Sequence, residues 1–303
     1  MELSGVIFVQ VLIIFILMSI GFIFAKAKLI NEKGTRQMTD ILLLVVAPCV
    51  LIKAYQKEFS IDLVKGLIYA TLFSVLVHIV GIVLSTLIFK KEETLRYRVN
   101  IFASVYSNCG FMAIPILSAT LGNDGVFYGS AYFAIFNLLY WTHGICVYDG
   151  SLREISIKKI VTSPGILGTL IAIILFITGI KLPYVIKESV NYIASVNTPL
   201  AMIVMGAYLT RVDFKKAMKN LSLYSVTILR LIVIPVIAVI FAKLLKLDPL
   251  IAKATLISAA CPTASVTALM AAKYNLDSAY ATEIVSVTTI LSIISIPLII
   301  MFY

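Results

Sequence analysis

Two short stretches of small and polar residues interrupt apolar segments, one in each half of the chain. The first runs from Ser107 to Pro115 and the second from Cys261 to Thr267. Each contains a proline, Pro115 or Pro262, which lacks a backbone N–H and clashes with the carbonyl one turn earlier, so each stretch predicts a broken helix. The N-terminal end of a broken helix exposes unpaired N–H groups and a partial positive charge, which attract a carboxylate or another anion.

Uncharged hydrogen-bond donors accompany both breaks. Asn108 lies in the first stretch, and Thr263, Ser265 and Thr267 lie in the second. Neither stretch contains Asp or Glu, the residues that usually hold Na⁺ or H⁺ inside a membrane. The sequence therefore favours an organic anion over a metal cation as the ligand, and it predicts neither a metal site nor a cofactor. Close packing of helices is the alternative interpretation of any single proline or small residue.

The composition is that of a helical membrane protein. Of the 303 residues, 61% are hydrophobic and 13% are charged, and the mean hydropathy is +1.04, which a soluble domain of this length would not show. The net charge of +10 does not indicate nucleic-acid binding, because most basic residues lie in short loops between apolar runs. Four cysteines fall within those runs without metal-ligand spacing, and we interpret them as packing residues: Cys49, Cys109, Cys146 and Cys261.

Ten apolar runs are long enough to predict membrane spans, joined in the middle by a polar linker at residues 149–163. Loops after odd-numbered spans contain twice as many Lys and Arg residues as loops on the other side, which predicts that they are cytoplasmic and that both termini are extracellular in the cell membrane. The predicted spans are 3–24, 38–55, 63–89, 99–121, 125–147, 164–180, 190–210, 221–245, 250–272 and 278–302.

The two halves correspond in the positions of their prolines. Pro48 interrupts span 2 as Pro199 interrupts span 7, and Pro115 in span 4 matches Pro262 in span 9. Because five spans is an odd number, matching spans enter the membrane from opposite sides. We therefore predict an inverted five-plus-five repeat of residues 1–148 and 164–303, with broken helices 4 and 9 crossing at mid-membrane around a binding site.

Three further polar residues within the spans leave alternatives open. Asn137 in span 5 faces the cavity or bonds to a neighbouring helix. His143 near the end of span 5 is an interfacial residue or part of a proton relay. Arg230 in span 8 is costly in the membrane unless it is paired, for example with Glu283, or reaches water.

Several motifs, taken in order along the chain, carry a family resemblance. They are Ala47-Pro48-Cys49, Asn108 with Pro115 seven residues later, Asn137 with Trp141, Asn197-Thr198-Pro199-Leu200 followed by Gly206-Ala207-Tyr208-Leu209, and Pro262 followed by Tyr274-Asn275. The whole chain in this respect resembles the auxin efflux carrier family, which includes plant PIN-type exporters and bacterial proteins described as malate or malonate permeases.

The resemblance implies a fold like that of bile acid symporters and sodium/proton antiporters. It implies a scaffold domain of spans 1, 2, 6 and 7, a transport domain of spans 3–5 and 8–10, elevator motion between them, and a homodimer formed through the scaffold. It also implies that Asn108, Pro115, Asn137 and Pro262 border the substrate. The chain departs from the plant proteins in lacking a long hydrophilic loop and in having Asn137 and Leu51 where they have Gln and Ser, so auxin itself is not expected.

The sequence thus predicts a secondary transporter of small carboxylates such as malate, malonate or auxin-like acids. A sodium-coupled symporter of the bile acid type and a membrane receptor without transport are the alternatives. An enzyme is not expected, because Ser107, Ser265 and His143 have no catalytic spacing. The predicted substrate-binding residues are Asn108, Gly110, Pro115, Asn137, Pro262, Thr263 and Ser265.

Overall fold

The protein is all-helical throughout the residues that the structure, a computed structural model, describes: 3–90, 95–151, 156–210, 212, 217 and 220–303. Residues 152–155 of the predicted linker and part of the basic loop between spans 7 and 8 lie outside these ranges. The α-helices are α1 (Leu3–Lys26), α2 (Glu32–Ile41), α3 (Ala47–Tyr55), α4 (Ile61–Ile88), α5 (Arg96–Val105), α6 (Ile114–Leu139), α7 (Ile145–Asp149), α8 (Ile157–Val161), α9 (Pro164–Thr178), α10 (Tyr184–Ser195), α11 (Asn197–Leu209), α12 (Leu221–Ile228), α13 (Ile234–Leu244), α14 (Pro249–Ala260), α15 (Val266–Lys273) and α16 (Ser278–Met301). Four π-helical segments adjoin them: Leu42–Val46, Cys109–Ala113, Tyr140–Gly144 and Leu229–Val233.

Six helical stretches within the described ranges are long and apolar enough to cross a membrane. They carry rows of exposed apolar side chains, such as Ile16 at 64% and Leu72 at 60%, which lipid rather than water would cover. The multi-pass membrane protein predicted from the composition is therefore confirmed, whereas the count of ten spans stays a prediction. The six stretches are Phe8–Lys26, Glu32–Tyr55, Ile61–Ile88, Tyr184–Leu209, Leu221–Leu244 and Ser278–Met301.

Prolines are accommodated in two different ways. Pro48, Pro115 and Pro235 each stand second in an α-helix that directly follows a π segment, and the wider π turn makes room for a proline ring one turn later. At Pro48 the helix therefore changes type instead of breaking, which differs from the predicted interruption. Pro199 instead lies in the first turn of α11, after a one-residue break at Val196.

The helices can be divided into two groups by the neighbours on which they pack. In one group α1 lies against α11, and α3 lies against α9 and α10. In the other group α6 packs on α4 and α14, and α16 packs on α15. These groups contain the helices of the predicted scaffold and transport domains, although the division itself stays a prediction.

Two glycines allow the backbones of α1 and α11 to approach each other closely. A Cβ atom on Gly206 would lie 1.9 Å from the carbonyl oxygen of Met18, and one on Gly21 would lie 2.1 Å from the carbonyl oxygen of Ile203. No side chain fits in such a space, so glycine is required at both positions. The sequence of α1 and α11 therefore fixes their crossing point at Gly206, two residues before Tyr208, a residue of the cavity described below.

Candidate substrate site

The two interrupted segments lie side by side and pair through their backbones. The chain leaves α5 after Val105 and leaves α14 after Ala260, and Ser107 and Thr263 form an antiparallel bridge. Asn108 N donates a hydrogen bond to the carbonyl of Pro262 at 2.7 Å. Ala264 N donates in the same way to the carbonyl of Tyr106 at 2.9 Å. Backbone groups released by one break are thus satisfied by the other, as burial away from water requires.

Thr263, Pro115 and Pro262 are buried beside the crossing, where Thr263 forms hydrogen bonds that stabilise it. Thr263 is fully buried, donates from its hydroxyl to the carbonyl of Ala103 at 2.9 Å, and donates from its backbone N to Oγ1 of Thr288 at 3.3 Å. Pro115 and Pro262 are also buried. The structure places these three predicted site residues outside the lining of the cavity. Thr263 and the carbonyl of Pro262 form hydrogen bonds that hold the two broken helices together.

Arg230 binds the C-terminal ends of α5 and α14, the two helices that lead into the breaks. It is fully buried, and one terminal nitrogen donates to the carbonyls of Ser104 and Val105, each at 3.0 Å. The other terminal nitrogen donates to the carbonyl of Ala259. These are last-turn carbonyls of α5 and α14, which lack partners within their own helices. The sequence suggested Glu283 as the partner, but Glu283 lines a separate surface groove.

A cavity of about 190 Å³ opens beside the crossing. Four of the predicted site residues line it: Asn108 and Gly110 from the first break, Ser265 from the second, and Asn137 from α6. None of the described residues around the cavity is charged. The remaining lining is mainly aromatic, aliphatic and small: Thr39, Leu43, Ser107, Phe111, Phe133, Phe136, Tyr140, Trp141, Ser163, Pro164, Gly165, Tyr208, Ala264, Val266 and Leu269.

Asn108 is held in place by its own side chain. Its Oδ1 accepts a hydrogen bond from Phe111 N at 3.3 Å, which caps the π segment that begins at Cys109. Its Nδ2 contacts the thioether sulfur of Met205 on α11 at 3.4 Å. Sulfur is a weak acceptor, so this amide can turn to a stronger acceptor, such as a carboxylate oxygen, at little cost.

Of the two alternatives that the sequence left open for Asn137, the structure shows a position at the cavity, whereas its hydrogen bond is to Phe133 of its own helix and not to a neighbouring helix. It lines the cavity, and its Nδ2 donates to the carbonyl of Phe133 at 2.8 Å. Its amide also packs directly on Gly165 of α9, where a Cβ atom would approach Asn137 Nδ2 to 2.7 Å. Asn137 therefore lies where the second group of helices meets α9.

One wall of the cavity consists of aromatic rings on successive turns of α6 and of the π segment that follows it. The rings of Phe133 and Phe136 are parallel with centroids 6.4 Å apart, and those of Phe136 and Tyr140 are parallel at 6.1 Å. Trp141 stands edge-on to Tyr140 at 4.9 Å. Such a wall suits the carbon skeleton of an organic ligand, whereas the two breaks supply the polar groups.

His143 lies behind this wall, outside the cavity lining. Its Nδ1 is 3.0 Å from the hydroxyl of Tyr106, which also donates to the carbonyl of Leu139 at 2.8 Å. Tyr106 accepts the backbone bond from Ala264, so His143 supports the crossing indirectly.

The half of the cavity that α2, α9 and α11 provide was missed by the sequence analysis. Thr39 and Tyr208 face each other there, with their hydroxyl oxygens 3.4 Å apart. Ser163, the residue directly before α9, lines the same cavity. A signal existed only for Tyr208, which belongs to the Gly206-Ala207-Tyr208-Leu209 motif. Nothing in the local sequence of Thr39 or Ser163 indicated a site.

Comparison with known proteins decides the family. A family described as membrane transport protein matches residues 6–157 and 148–300, which together cover nearly the whole chain. The chain belongs to this family. It is the auxin efflux carrier family that the motifs indicated, so that prediction is confirmed, as is the prediction of a transport protein instead of an enzyme.

Two archaeal relatives match this family member from end to end. The chain is 26% identical over 303 residues to an uncharacterized transporter of Methanocaldococcus jannaschii, covering 95% of this chain and 96% of the relative. It is 24% identical over 300 residues to an uncharacterized transporter of Methanothermobacter thermautotrophicus, covering 95% of each. The resemblance thus extends over nearly the whole length of two proteins named as transporters.

Proposed function

We propose that this member of the family is a secondary transporter of small organic anions, chiefly carboxylates. The observation that supports the substrate class is the cavity itself, which combines two helix N-terminal ends and amide and hydroxyl donors with an apolar wall and no acidic side chain among its described lining residues. Its volume of about 190 Å³ fits a small solute, since it equals roughly six times the share of one water molecule in the liquid.

Alternating access by an elevator motion is the proposed mechanism. The cavity has one wall from α2, α9 and α11 and another from the two breaks and α6. A displacement of the second group of helices against the first would carry Asn108, Asn137 and Ser265 with the substrate while leaving Thr39 and Tyr208 behind. The inverted repeat, the extracellular termini and a homodimer formed through the first group are parts of the same proposal.

An ion pair between Lys57 and Asp124 offers a test of this motion. Lys57 follows α3 in the first group, and Asp124 follows the break at Gly122 inside α6, in the second group. Lys57 Nζ also lies 5.0 Å from the ring centre of Phe127. Under the predicted topology this pair is on the extracellular side, so we propose that it holds the outer entrance closed.

We expect Asp124→Asn to favour the outward-open state by about five-fold, since partly exposed ion pairs contribute up to about 1 kcal/mol. The measurement is the rate at which an externally added, membrane-impermeant thiol reagent labels Ser265→Cys, a cavity residue that would move with the substrate, in a background without other reactive cysteines. Asp62→Asn is the matched control, because it removes a pair with Lys65 on one helix only. Equal labelling rates in the two variants would contradict the proposed closure.

The transport proposal itself is tested in proteoliposomes. Trp141 is the only tryptophan of the chain and lines the cavity, so its fluorescence reports binding directly. We expect malonate or malate to change this fluorescence in a saturable way and to accumulate in the vesicles, whereas the corresponding diamides bind much more weakly and do not accumulate. Binding without uptake would favour the receptor alternative, and uptake that requires Na⁺ would favour the sodium-coupled symporter.

A further inference from the structure

The crossing contains four helix ends, whose charges would cancel without a further group. Each helix N-terminus carries about +0.5 charge and each C-terminus about −0.5. The C-termini of α5 and α14 and the N-termini that begin at Cys109 and Val266 all meet within a few residues of the bridge between Ser107 and Thr263. Four such ends sum to about zero, so the backbone alone gives no preference for an anion.

Arg230 changes this balance because it binds only the negative ends. Its hydrogen bonds to Ser104, Val105 and Ala259 place one positive charge on the two C-termini, which together carry about −1. The salt bridges found among the described residues do not include Arg230. The two N-termini, with about +1 between them, therefore remain uncompensated on the side of the cavity.

We propose that Arg230 sets the charge selectivity of the site without contacting the substrate: by neutralising the two helix C-termini, it leaves the crossing positive, so that an uncharged cavity accepts carboxylates. Arg230 is a positioning residue in this sense, and it also occupies the carbonyl-lined space that would otherwise suit a coupling cation. The inference rests on the proposed function, since it concerns how the same cavity distinguishes an anion from its neutral analogue.

The first test compares Arg230→Gln with Arg230→Lys by Trp141 fluorescence. Arg230→Gln should weaken malonate binding by about ten-fold or more, the effect of one charge roughly 10 Å away at an effective dielectric constant of 20. It should leave the binding of malonamide, the uncharged analogue, unchanged or stronger. Arg230→Lys keeps the charge and should retain the malonate preference within a few-fold. A merely structural role would weaken both ligands together.

A second variant keeps Arg230 and its hydrogen bonds in place. Ser104 is buried, its hydroxyl has no hydrogen-bond partner among the described residues, and its carbonyl already accepts from Arg230. Ser104→Asp would pair the guanidinium with a carboxylate and cancel its charge, and it should reduce malonate binding by a similar factor. Ser104→Asn has the same shape without the charge, and it should bind malonate as the unmodified protein does.

The outcomes separate this inference from the function on which it rests. If the unmodified protein binds neither malonate nor any other small carboxylate, the proposed function fails. If it binds malonate and a folded Arg230→Gln variant binds it with the same preference over malonamide, the role of Arg230 is overturned. Should Arg230→Gln not fold, Ser104→Asp decides: equal malonate binding by Ser104→Asp and Ser104→Asn overturns the inference.

Discussion

Replacement of Asn108 by aspartate is expected to abolish carboxylate transport while leaving the fold intact. The two side chains have nearly the same shape, so the bond from Phe111 N to Oδ1 persists. The amide that points toward Met205, however, becomes a charged oxygen at the edge of the cavity. A negative charge about 5 Å from a bound carboxylate costs about 3 kcal/mol at an effective dielectric constant of 20, or about 100-fold in affinity. Uptake into proteoliposomes and the Trp141 titration measure this loss.

Two companion variants show whether the effect arises in the cavity. Asn108→Ala removes one donor without adding charge, and it should weaken binding by about ten-fold, as expected for a hydrogen bond to a charged group. Asn123→Asp makes the same chemical change at an exposed position of α6, just after the break at Gly122 and outside the cavity, and it should transport normally. Undiminished uptake by a well-folded Asn108→Asp variant would contradict the placement of the substrate at the crossing.

The breaks themselves could be predicted from sequence because proline acts locally. Pro115 and Pro262 signal lost helical hydrogen bonds wherever the rest of the chain goes, and the apolar surroundings require the freed groups to find partners. The exact position was less certain: in the first break the chain leaves the helix at Tyr106 to Asn108, well before Pro115, because a π segment lies between. Two side chains next to the breaks, Asn108 and Ser265, line the cavity, whereas their role in substrate binding stays a prediction.

Residues whose role depends on distant backbone atoms could not be predicted. The partners of Arg230 are three carbonyl oxygens, and no residue type in the sequence marks a carbonyl as unpaired. Likewise Thr39 and Ser163 belong to the cavity only because α2 and α9 meet α6 there. Sequence patterns identify such helices but give no rotation about their axes that is accurate enough to place one side chain.

The packing of α1 on α11 gives the second large expected effect, this time on stability. In Gly206→Ala the new methyl group would lie 1.9 Å from the carbonyl oxygen of Met18, and the nearest atoms are backbone that cannot turn aside. The two helices must separate, so we expect a loss of about 3 kcal/mol or more, the upper range for overpacking a core. The melting temperature of the purified protein in detergent measures this loss.

A matched glycine distinguishes this collision from the general effect of the substitution. Gly34 in α2 has only ordinary contacts, the nearest at 3.5 Å to Asn31 Oδ1, so Gly34→Ala should be neutral or should stabilise by up to about 1 kcal/mol through helix propensity. An unchanged melting temperature for Gly206→Ala would show that α1 and α11 can move apart without cost. That result would also undermine the elevator proposal, because the first group of helices, which includes Tyr208 two residues away, would then not be the rigid wall against which the substrate moves.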